Sequence, residues 1–597
     1  MKRLLRLCTW FAVLVLCAAA LPLSASAADS TAVIDNSGLI PAFKPDSEVE
    51  LIDMPISETV SVPVPEWIDT LILAELRIET ATPEGTFQAA ERVLDHYAEM
   101  GVNGLWITPI YDRNRSADNL IQANGYGNYG PETVWWRLTG CDNYEDSWKV
   151  VKNFVDEAHA RGIRIFFDLV AWGCDHNAPV VKEHPEWFSE ISPWGGPAFP
   201  FYRPTFVEWF VEKSTDVLIR TGADGFRVDL APDSGGYDAF AQIVDRCFEQ
   251  GRKVALFSEI PNERVFSFVF EQFGVGVDET SENHYTYYRD YFMQKMNIVD
   301  ACKTGTGIGS KSSQSGGFGG TYTYYTYCLS NHDNHDKFAR GNRIAFGYQA
   351  IFAPFIPLWY IGTEWNNTWS GMCFTDKIDW STMDIPENRA FYEDVKKMIR
   401  IRRTYPEIFE YWPGNHRETN ICHVEVNGQK GGLGGAYARY ADGKGFVIVA
   451  NQGGADMTAD VTVPLADMGI TEIKNATYTI TEMMSGKRIK SGKFADIAAF
   501  TATVGAGEVA AFYIDYTTPP TTTTAKPTTT ITTAAPTTTV TEATTTVTTT
   551  TQPTEAVTDP EDTAAAPVGL IVGIAAGAAV IVAGAVVLLL VLKKKKA

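Results

Sequence analysis

One pattern repeats along the chain from residue 67 onwards: a short apolar run, a turn, and an amphipathic stretch with a charged face. Short apolar strands that alternate with longer helices are typical of parallel sheets. The predicted strands are Leu71 to Leu76, Gly104 to Thr108, Ile163 to Val170, Gly225 to Leu230, Val254 to Ser258, Val275 to Asp278, Tyr324 to Leu329 and Pro357 to Ile361. The predicted helices include Thr86 to Met100, Asp146 to Arg161, Thr205 to Thr221 and Tyr237 to Gln250.

Eight such units over about 340 residues predict an α/β fold, a closed (β/α)8 TIM barrel over residues 66–405. Residues 171–203 form a short insertion after the third strand. The alternative is an open, doubly wound sheet, but no GxGxxG motif follows a first strand and no phosphate loop is present. Residues 406–516 alternate in short segments between Gly, Asn and Asp turns, which predicts a C-terminal β-sandwich. Residues 28–65 are acidic and contain several prolines, so an irregular segment is predicted there.

The two ends of the chain predict its location. Residues 1–27 have basic residues, an apolar run and a small-residue cleavage site, which is the pattern of a secretory signal. Residues 517–567 are rich in Thr and Pro and predict an extended, disordered linker. Residues 568–592 have no charged or polar side chain and are long enough for a transmembrane helix. The basic tail at 593–597 belongs on the cytoplasmic side, so we expect a single-pass protein of the cell membrane with its catalytic domain outside.

Composition narrows the classes of ligand. The net charge of -22 argues against a nucleic acid as partner, because binders of nucleic acid neutralise phosphates with clustered Lys and Arg. Aromatic residues make up 12% of the chain, which favours ligands that stack on rings. Beyond the signal, seven scattered cysteines remain, with no CxxC pair that would indicate structural zinc.

Polar residues follow three of the predicted strands where each strand ends. Strand four ends in GFRVD with Arg227 and Asp229, strand five in FSE with Glu259, and strand seven in SNHD with Asp333. Catalytic side chains of such barrels lie at the C-terminal ends of the strands, so we expect the three carboxylates to meet at one mouth. Taken singly, each has a structural alternative: an ion pair of Arg227 with Asp229, a solvated strand end, or a capping turn.

As an ordered set, these motifs resemble the α-amylase family of glycoside hydrolases and transglycosidases over about residues 67–516. The resemblance implies that Asp229 is the nucleophile, with Arg227 as its charge partner, and that Glu259 is the general acid/base. It implies that Asp333 is the third carboxylate, which stabilises the distorted sugar, and that His332 binds substrate beside it. Supporting segments are GVNGLWITP at 101–109 and WYIGTE at 359–364.

Glycoside chemistry gives the same pair a physical rationale. Cleavage with retention needs one carboxyl to protonate the leaving oxygen and another to face the anomeric carbon, about 5 Å apart. Arg227 lies two residues before Asp229, on the same strand face, so we expect it to hold Asp229 ionised. We expect an apolar wall and the neighbouring carboxylates to raise the pKa of Glu259.

The third strand departs from the family pattern. Asp168 is present as an expected substrate-binding residue, but the usual Asn-His pair is replaced by Trp172 and Gly173, and His176 comes three residues late. Trp172 is therefore a candidate for substrate binding. The missing Asn removes one oxygen ligand of the six to eight that calcium requires, so no metal ligand and no cofactor is predicted and calcium stays an unsupported alternative.

Aromatic residues of two loops are further candidates. In the segment GYGNYGP at 125–131, Tyr129 fits the family tyrosine beneath the scissile sugar better than Tyr126 does. Trp172, Trp187 and Trp194 in the insertion either stack on sugar rings or pack the loop onto the barrel.

The sequence thus predicts a surface-anchored retaining enzyme acting on an α-glucan such as starch, maltodextrin or pullulan. Transfer to a sugar acceptor instead of water is one alternative. The other is a catalytically impaired ectodomain that binds carbohydrate or a partner protein, for which the replacement at Trp172 and Gly173 is the strongest argument.

Overall fold

The structure is a computed structural model of the 597-residue chain. It describes residues 34–55, 61–113, 124–193, 195–229, 236–259, 268–271, 299, 324–332, 342–367, 376–410, 420–430 and 435–519. The predictions for the two ends of the chain lie outside these ranges: the signal at 1–27, nearly all of the linker at 517–567, the membrane helix at 568–592 and the tail at 593–597. Within the described ranges, no helix has the length and apolar character needed to cross a membrane.

The N-terminal segment contains a two-stranded antiparallel sheet of β1, Leu51–Pro55, and β2, Ser61–Pro65. This differs from the irregular segment predicted over 28–65. The proline pattern concealed the strands, because proline is tolerated in the edge strands of which this sheet consists. Phe43, which precedes β1, contacts the barrel: the Arg164 guanidinium lies 4.6 Å from its ring centre and 4.3 Å from that of Trp67.

Eight parallel strands form a closed barrel in the order β10-β3-β4-β5-β6-β7-β8-β9, which confirms the predicted TIM barrel. The strands are β3 Leu73–Leu76, β4 Gly104–Ile107, β5 Arg164–Val170, β6 Gly225–Asp229, β7 Ala255–Ser258, β8 Phe268–Glu271, β9 Tyr324–Cys328 and β10 Ile356–Tyr360. The sixth barrel strand is therefore Phe268–Glu271 instead of the predicted Val275 to Asp278, which lies outside the described residues.

Helices follow the strands as predicted, and their ends have physical causes. The Thr86 side chain accepts from the backbone N–H of Ala89, and Gly101 adopts the left-handed conformation that ends the same helix. The helices are α1 Ile78–Ala81, α2 Phe87–Met100, α3 Trp136–Thr139, α4 Tyr144–Ala160, α5 Pro179–Glu183, α6 Pro204–Thr221, α7 Gly236–Glu249, α8 Pro386–Thr404 and α9 Pro406–Phe409, with a π-helix at Ala345–Ile351.

The insertion at 171–203 packs onto the barrel. The ring of Trp187 stacks on His184 at 3.9 Å between centroids and meets Phe206 edge-on at 5.9 Å. Phe199 and Phe201 of the insertion contact Phe210 of α6 at 5.7 and 5.0 Å. Of the two roles considered for the tryptophans, Trp187 has the packing role, and Trp194 lies outside the described residues.

The C-terminal region consists of two antiparallel sheets that share one hydrophobic core, the arrangement of a β-sandwich. The phenolic Oη of Tyr437 donates to the carbonyl of Tyr348 at 2.8 Å, which ties this region to the π-helix of the barrel. Its strands are β11 Ile421–His423, β12 Glu425–Val426, β13 Gln429–Lys430, β14 Ala436–Ala441, β15 Lys444–Ala450, β16 Met457–Thr462, β17 Thr477–Glu482, β18 Lys487–Gly492, β19 Ala499–Val504 and β20 Val509–Thr517.

Candidate active site

The strand β6, with the sequence GFRVD, lies at the centre of the site. Arg227 and Asp229 are two residues apart and therefore on one face of this strand. The strand begins at a glycine for a steric reason: a Cβ at Gly225 would lie 1.7 Å from the carbonyl oxygen of Ala255 in β7. The close approach of β6 and β7 places Glu259 beside Val228, whose carbonyl accepts from the Glu259 N–H at 3.1 Å.

A fully buried arginine connects the carboxylates of three strands. Nη1 of Arg227 donates to Oδ1 of Asp229 at 2.7 Å and to both oxygens of Asp168 at 3.2 Å. Its Nη2 lies 3.2 Å from Oε2 of Glu259. The side chains of Asp229 and Glu259 are 8% and 17% exposed, so both are accessible from the barrel mouth, whereas Arg227 and Asp168 are not.

Burial has the largest effect on the protonation of these acids. Desolvation raises the pKa of Asp229 well above its ordinary value of 3.8; the charge of Arg227 opposes this rise and the charge of Glu259 adds to it. Burial likewise raises the pKa of Asp168, against the charge of Arg227. Arg227 was expected to hold Asp229 ionised. The ion pair is present, but burial outweighs it and raises the pKa of Asp229, so that expectation is corrected.

Asp168 is fully buried inside the barrel. Its Oδ2 accepts from the Tyr126 hydroxyl at 2.8 Å and from the Trp106 indole Nε1 at 3.0 Å, in addition to Arg227. This carboxylate has three donors and no exposed side-chain surface, so it orients Arg227. Its predicted role in substrate binding stays a prediction.

His332, at the end of strand seven, is held by an acid of strand one. Its backbone N–H lies 3.0 Å from Oε2 of Glu75, and its ring Nδ1 lies 2.6 Å from Oε1 of the same carboxylate. The ring of Tyr126 stacks on the imidazole at 5.1 Å, and Trp106 meets it edge-on at 5.6 Å. Asp333 is the next residue in the chain and lies outside the described residues.

Tyr129 and Trp172, the two aromatic residues predicted to bind substrate, lie outside the cluster around Asp168. Tyr126, the less favoured tyrosine of its loop, lies in that cluster, whereas Tyr129 is partly buried against the core of the barrel domain. Trp172 is half-buried in the loop after β5, where its carbonyl accepts from the Phe199 N–H at 3.3 Å. The roles of Tyr129 and Trp172 in substrate binding stay predictions.

The site also contains residues that sequence reasoning missed. Glu75 and Trp106 were only parts of predicted strands, yet both point into the barrel interior and contact site residues. A charged side chain in the otherwise apolar strand Leu73–Leu76 was the available signal for Glu75. Across the described ranges, no group of three or more His, Cys, Asp or Glu side chains is arranged to hold a metal ion.

Comparison with known proteins gives partial sequence matches and a structural match over 75% of the chain. No protein-family model matches the chain. The α-1,4-glucan:maltose-1-phosphate maltosyltransferase of Myxococcus xanthus is 27% identical over 203 residues, which are 29% of this chain and 29% of that protein. The malto-oligosyltrehalose trehalohydrolase of Arthrobacter ramosus is 27% identical over 174 residues, 26% of each chain.

The chain thus spans less than a third of the length of these two relatives. Among solved structures, the maltogenic α-amylase AmyB of Thermotoga neapolitana matches with a TM-score of 0.56 at 15% identity. The match covers 75% of this chain and 99% of that one, so the two share their fold.

Proposed function

We propose that the chain is a glycoside hydrolase of the α-amylase family that cleaves α-glucosidic linkages of starch-like glucans with retention. The observation that carries the proposal is the bridge of Arg227 between Asp229 and Glu259 at the C-terminal ends of neighbouring strands. Neighbouring strands lie about 4.8 Å apart. That spacing suits the separation of about 5–5.5 Å that retaining glycosidases need between their two carboxyl groups.

In the proposed reaction, Glu259 donates a proton to the glycosidic oxygen while Asp229 attacks the anomeric carbon. The bond to the leaving sugar breaks and a glycosyl ester of Asp229 forms. Glu259 then takes a proton from water, which attacks the same carbon and releases Asp229. Asp333 is proposed as the third carboxylate, which stabilises the distorted sugar, and His332 as a neighbour that binds it.

Asp229 attacks only in its ionised form. Because burial raises its pKa, we expect kcat/KM to fall on the acid side at a pH well above the ordinary carboxyl range. Arg227 limits this loss, since its positive charge favours the carboxylate.

The proposed location is the outer face of the cell membrane. It is supported by the sequence alone: the secretory pattern at 1–27, the apolar run at 568–592 and the basic tail at 593–597. Protease treatment of intact cells tests it, because an outward-facing catalytic domain is released into the medium whereas an inward-facing one is protected.

Product analysis tests the activity. The purified protein is incubated with starch, maltotriose and pullulan, and NMR follows the anomer formed first; retention gives the α-anomer. We expect Asp229→Asn and Glu259→Gln to abolish release of reducing ends, and Asp156→Asn, an exposed carboxylate of α4, to have no effect.

The outcomes separate the alternatives. Longer oligosaccharides formed from maltotriose would indicate transfer to a sugar acceptor, the activity named for one relative. Binding of maltotriose without cleavage would favour the catalytically impaired ectodomain.

A further inference from the structure

The carboxylate of Glu75 makes both of its described hydrogen bonds to one residue. Its two oxygens meet the backbone N–H and the ring Nδ1 of His332, at 3.0 and 2.6 Å. Glu75 belongs to strand one of the barrel and His332 follows strand seven, 257 positions later in the chain. The contact therefore fixes the backbone and the ring of His332 together.

Burying the Glu75 carboxylate costs desolvation free energy, which indicates that its negative charge contributes to function. Glu75 has no exposed surface, and desolvation raises its pKa, which the charges of His332 and Arg227 oppose. A glutamine would fill the same space without burying a charge, but its amide has one acceptor oxygen and would turn an NH2 group towards the second of the two His332 contacts. What a glutamine cannot do is bind the Nδ1 proton through a charge-assisted bond.

Two aromatic rings fix the plane of the His332 imidazole but do not determine which of its nitrogens is protonated. Tyr126 covers one face of the ring and the edge of Trp106 meets it. Among the described residues, Glu75 on β3 and Asp168 on β5 carry charges that interact with His332. Glu75 is the acid in direct hydrogen-bond contact with Nδ1.

We propose, on the basis of the proposed function, that Glu75 is a positioning residue that acts through His332: it retains a proton on Nδ1 and fixes the ring for contact with the sugar. The ring orientation and the backbone that continues into Asp333 then depend on one carboxylate. Glu75 itself does not touch the substrate, because it is enclosed beneath the cleft.

The test uses the full chain, labelled with 15N-histidine. Long-range 1H–15N spectra of the nine histidines report which ring nitrogens are protonated, and the spectrum of His332→Gln assigns the signal. We expect a protonated Nδ1 on His332 in the wild type and its loss in Glu75→Gln. The matched control is Glu364→Gln, which removes a buried carboxylate 3.0 Å from Nε2 of His96, outside the site; the His332 signal stays unchanged there.

Kinetics give a second, independent readout. We expect Glu75→Gln to lower kcat on maltotriose by about 10- to 100-fold with a smaller change in KM, because one charge-assisted bond is lost. In a His332→Gln background the same substitution changes kcat by less than about twofold, since its effect passes through the imidazole. Glu75→Asp, which keeps the charge, recovers part of the activity.

Each result decides between the two proposals. Equal losses of kcat in both backgrounds, or an unchanged His332 signal in Glu75→Gln, overturn the positioning role while the glycosidase function stands. A wild type that shows the protonated Nδ1 but cleaves no glucan overturns the proposed function and supports the role of Glu75 in setting the ring.

Discussion

Replacement of Arg227 by lysine tests whether one guanidinium organises the carboxylates of the barrel mouth. Nη1 of Arg227 is 2.7 Å from Asp229 and 3.2 Å from Asp168, and Nη2 is 3.2 Å from Glu259. An ammonium is a compact donor on a flexible stem and lacks the planar fork that bridges groups on three strands. We expect Arg227→Lys to keep the charge of the site and to lose its geometry.

The expected size of the effect follows from these contacts. A hydrogen bond to a charged group contributes about 1.5–3 kcal/mol, and lysine gives up at least one of the three carboxylate partners. The free energy of unfolding should fall by about that amount. A reacting group displaced by about 1 Å costs roughly 100-fold in rate, so we expect kcat to fall about 100-fold.

The assay measures kcat and KM on a chromogenic maltooligosaccharide, with urea unfolding on the same samples. Arg220→Lys is the matched control, since Arg220 is an arginine of α6 at the surface whose partner is Asp216. A kcat for Arg227→Lys within about threefold of the wild type would refute the reasoning, because the fork would then not be needed to align the acids.

Three further predictions concern stability. Since burial raises the Asp229 pKa, the folded state binds that proton more tightly than the unfolded chain does, and the ionised carboxyl destabilises the fold as the pH rises above 3.8. Asp229→Asn should therefore raise the melting temperature at pH 7 and not at pH 3; an equal shift at both pH values in calorimetry would contradict this. Gly225→Ala should cost roughly 3 kcal/mol or prevent folding, because its Cβ would lie 1.7 Å from the Ala255 oxygen; wild-type urea unfolding would exclude that clash. Tyr437→Phe should cost about 1 kcal/mol through its lost bond to Tyr348, and an unchanged midpoint would show that the bond contributes nothing.

Periodicity predicted the barrel because each strand is a short apolar run before a helix. It misplaced the sixth strand, since residues 264–278 contain two apolar runs, 265–270 and 273–277, and either one fits the pattern of a short strand. The structure places this strand at Phe268–Glu271. The run that becomes the strand is decided by its pairing with β7 and β9, and this tertiary contact cannot be read from the local sequence.

The carboxylates were predictable because residue type and position at strand ends carry chemical meaning. Depth in the barrel was not predictable: Asp168 and Glu75 are strand residues like Asp229, yet they are fully buried. Tyr126 and Tyr129 lie in the same loop and each is flanked by glycine or asparagine. The path of the loop decides which of the two hydroxyls reaches Asp168.

The excess of buried carboxylates in the site bears on the proposed reaction. In the described part of the site, four carboxylates on or directly after four strands meet one guanidinium and one imidazole, those of Arg227 and His332. Negative charge is therefore in excess where water is scarce, which explains why burial raises the pKa of three of these acids. An oxocarbenium-like transition state brings positive charge to the mouth and relieves that excess, whereas a neutral glucan does not. The arrangement thus favours the transition state over the bound substrate, which is the condition for a faster reaction instead of tighter binding.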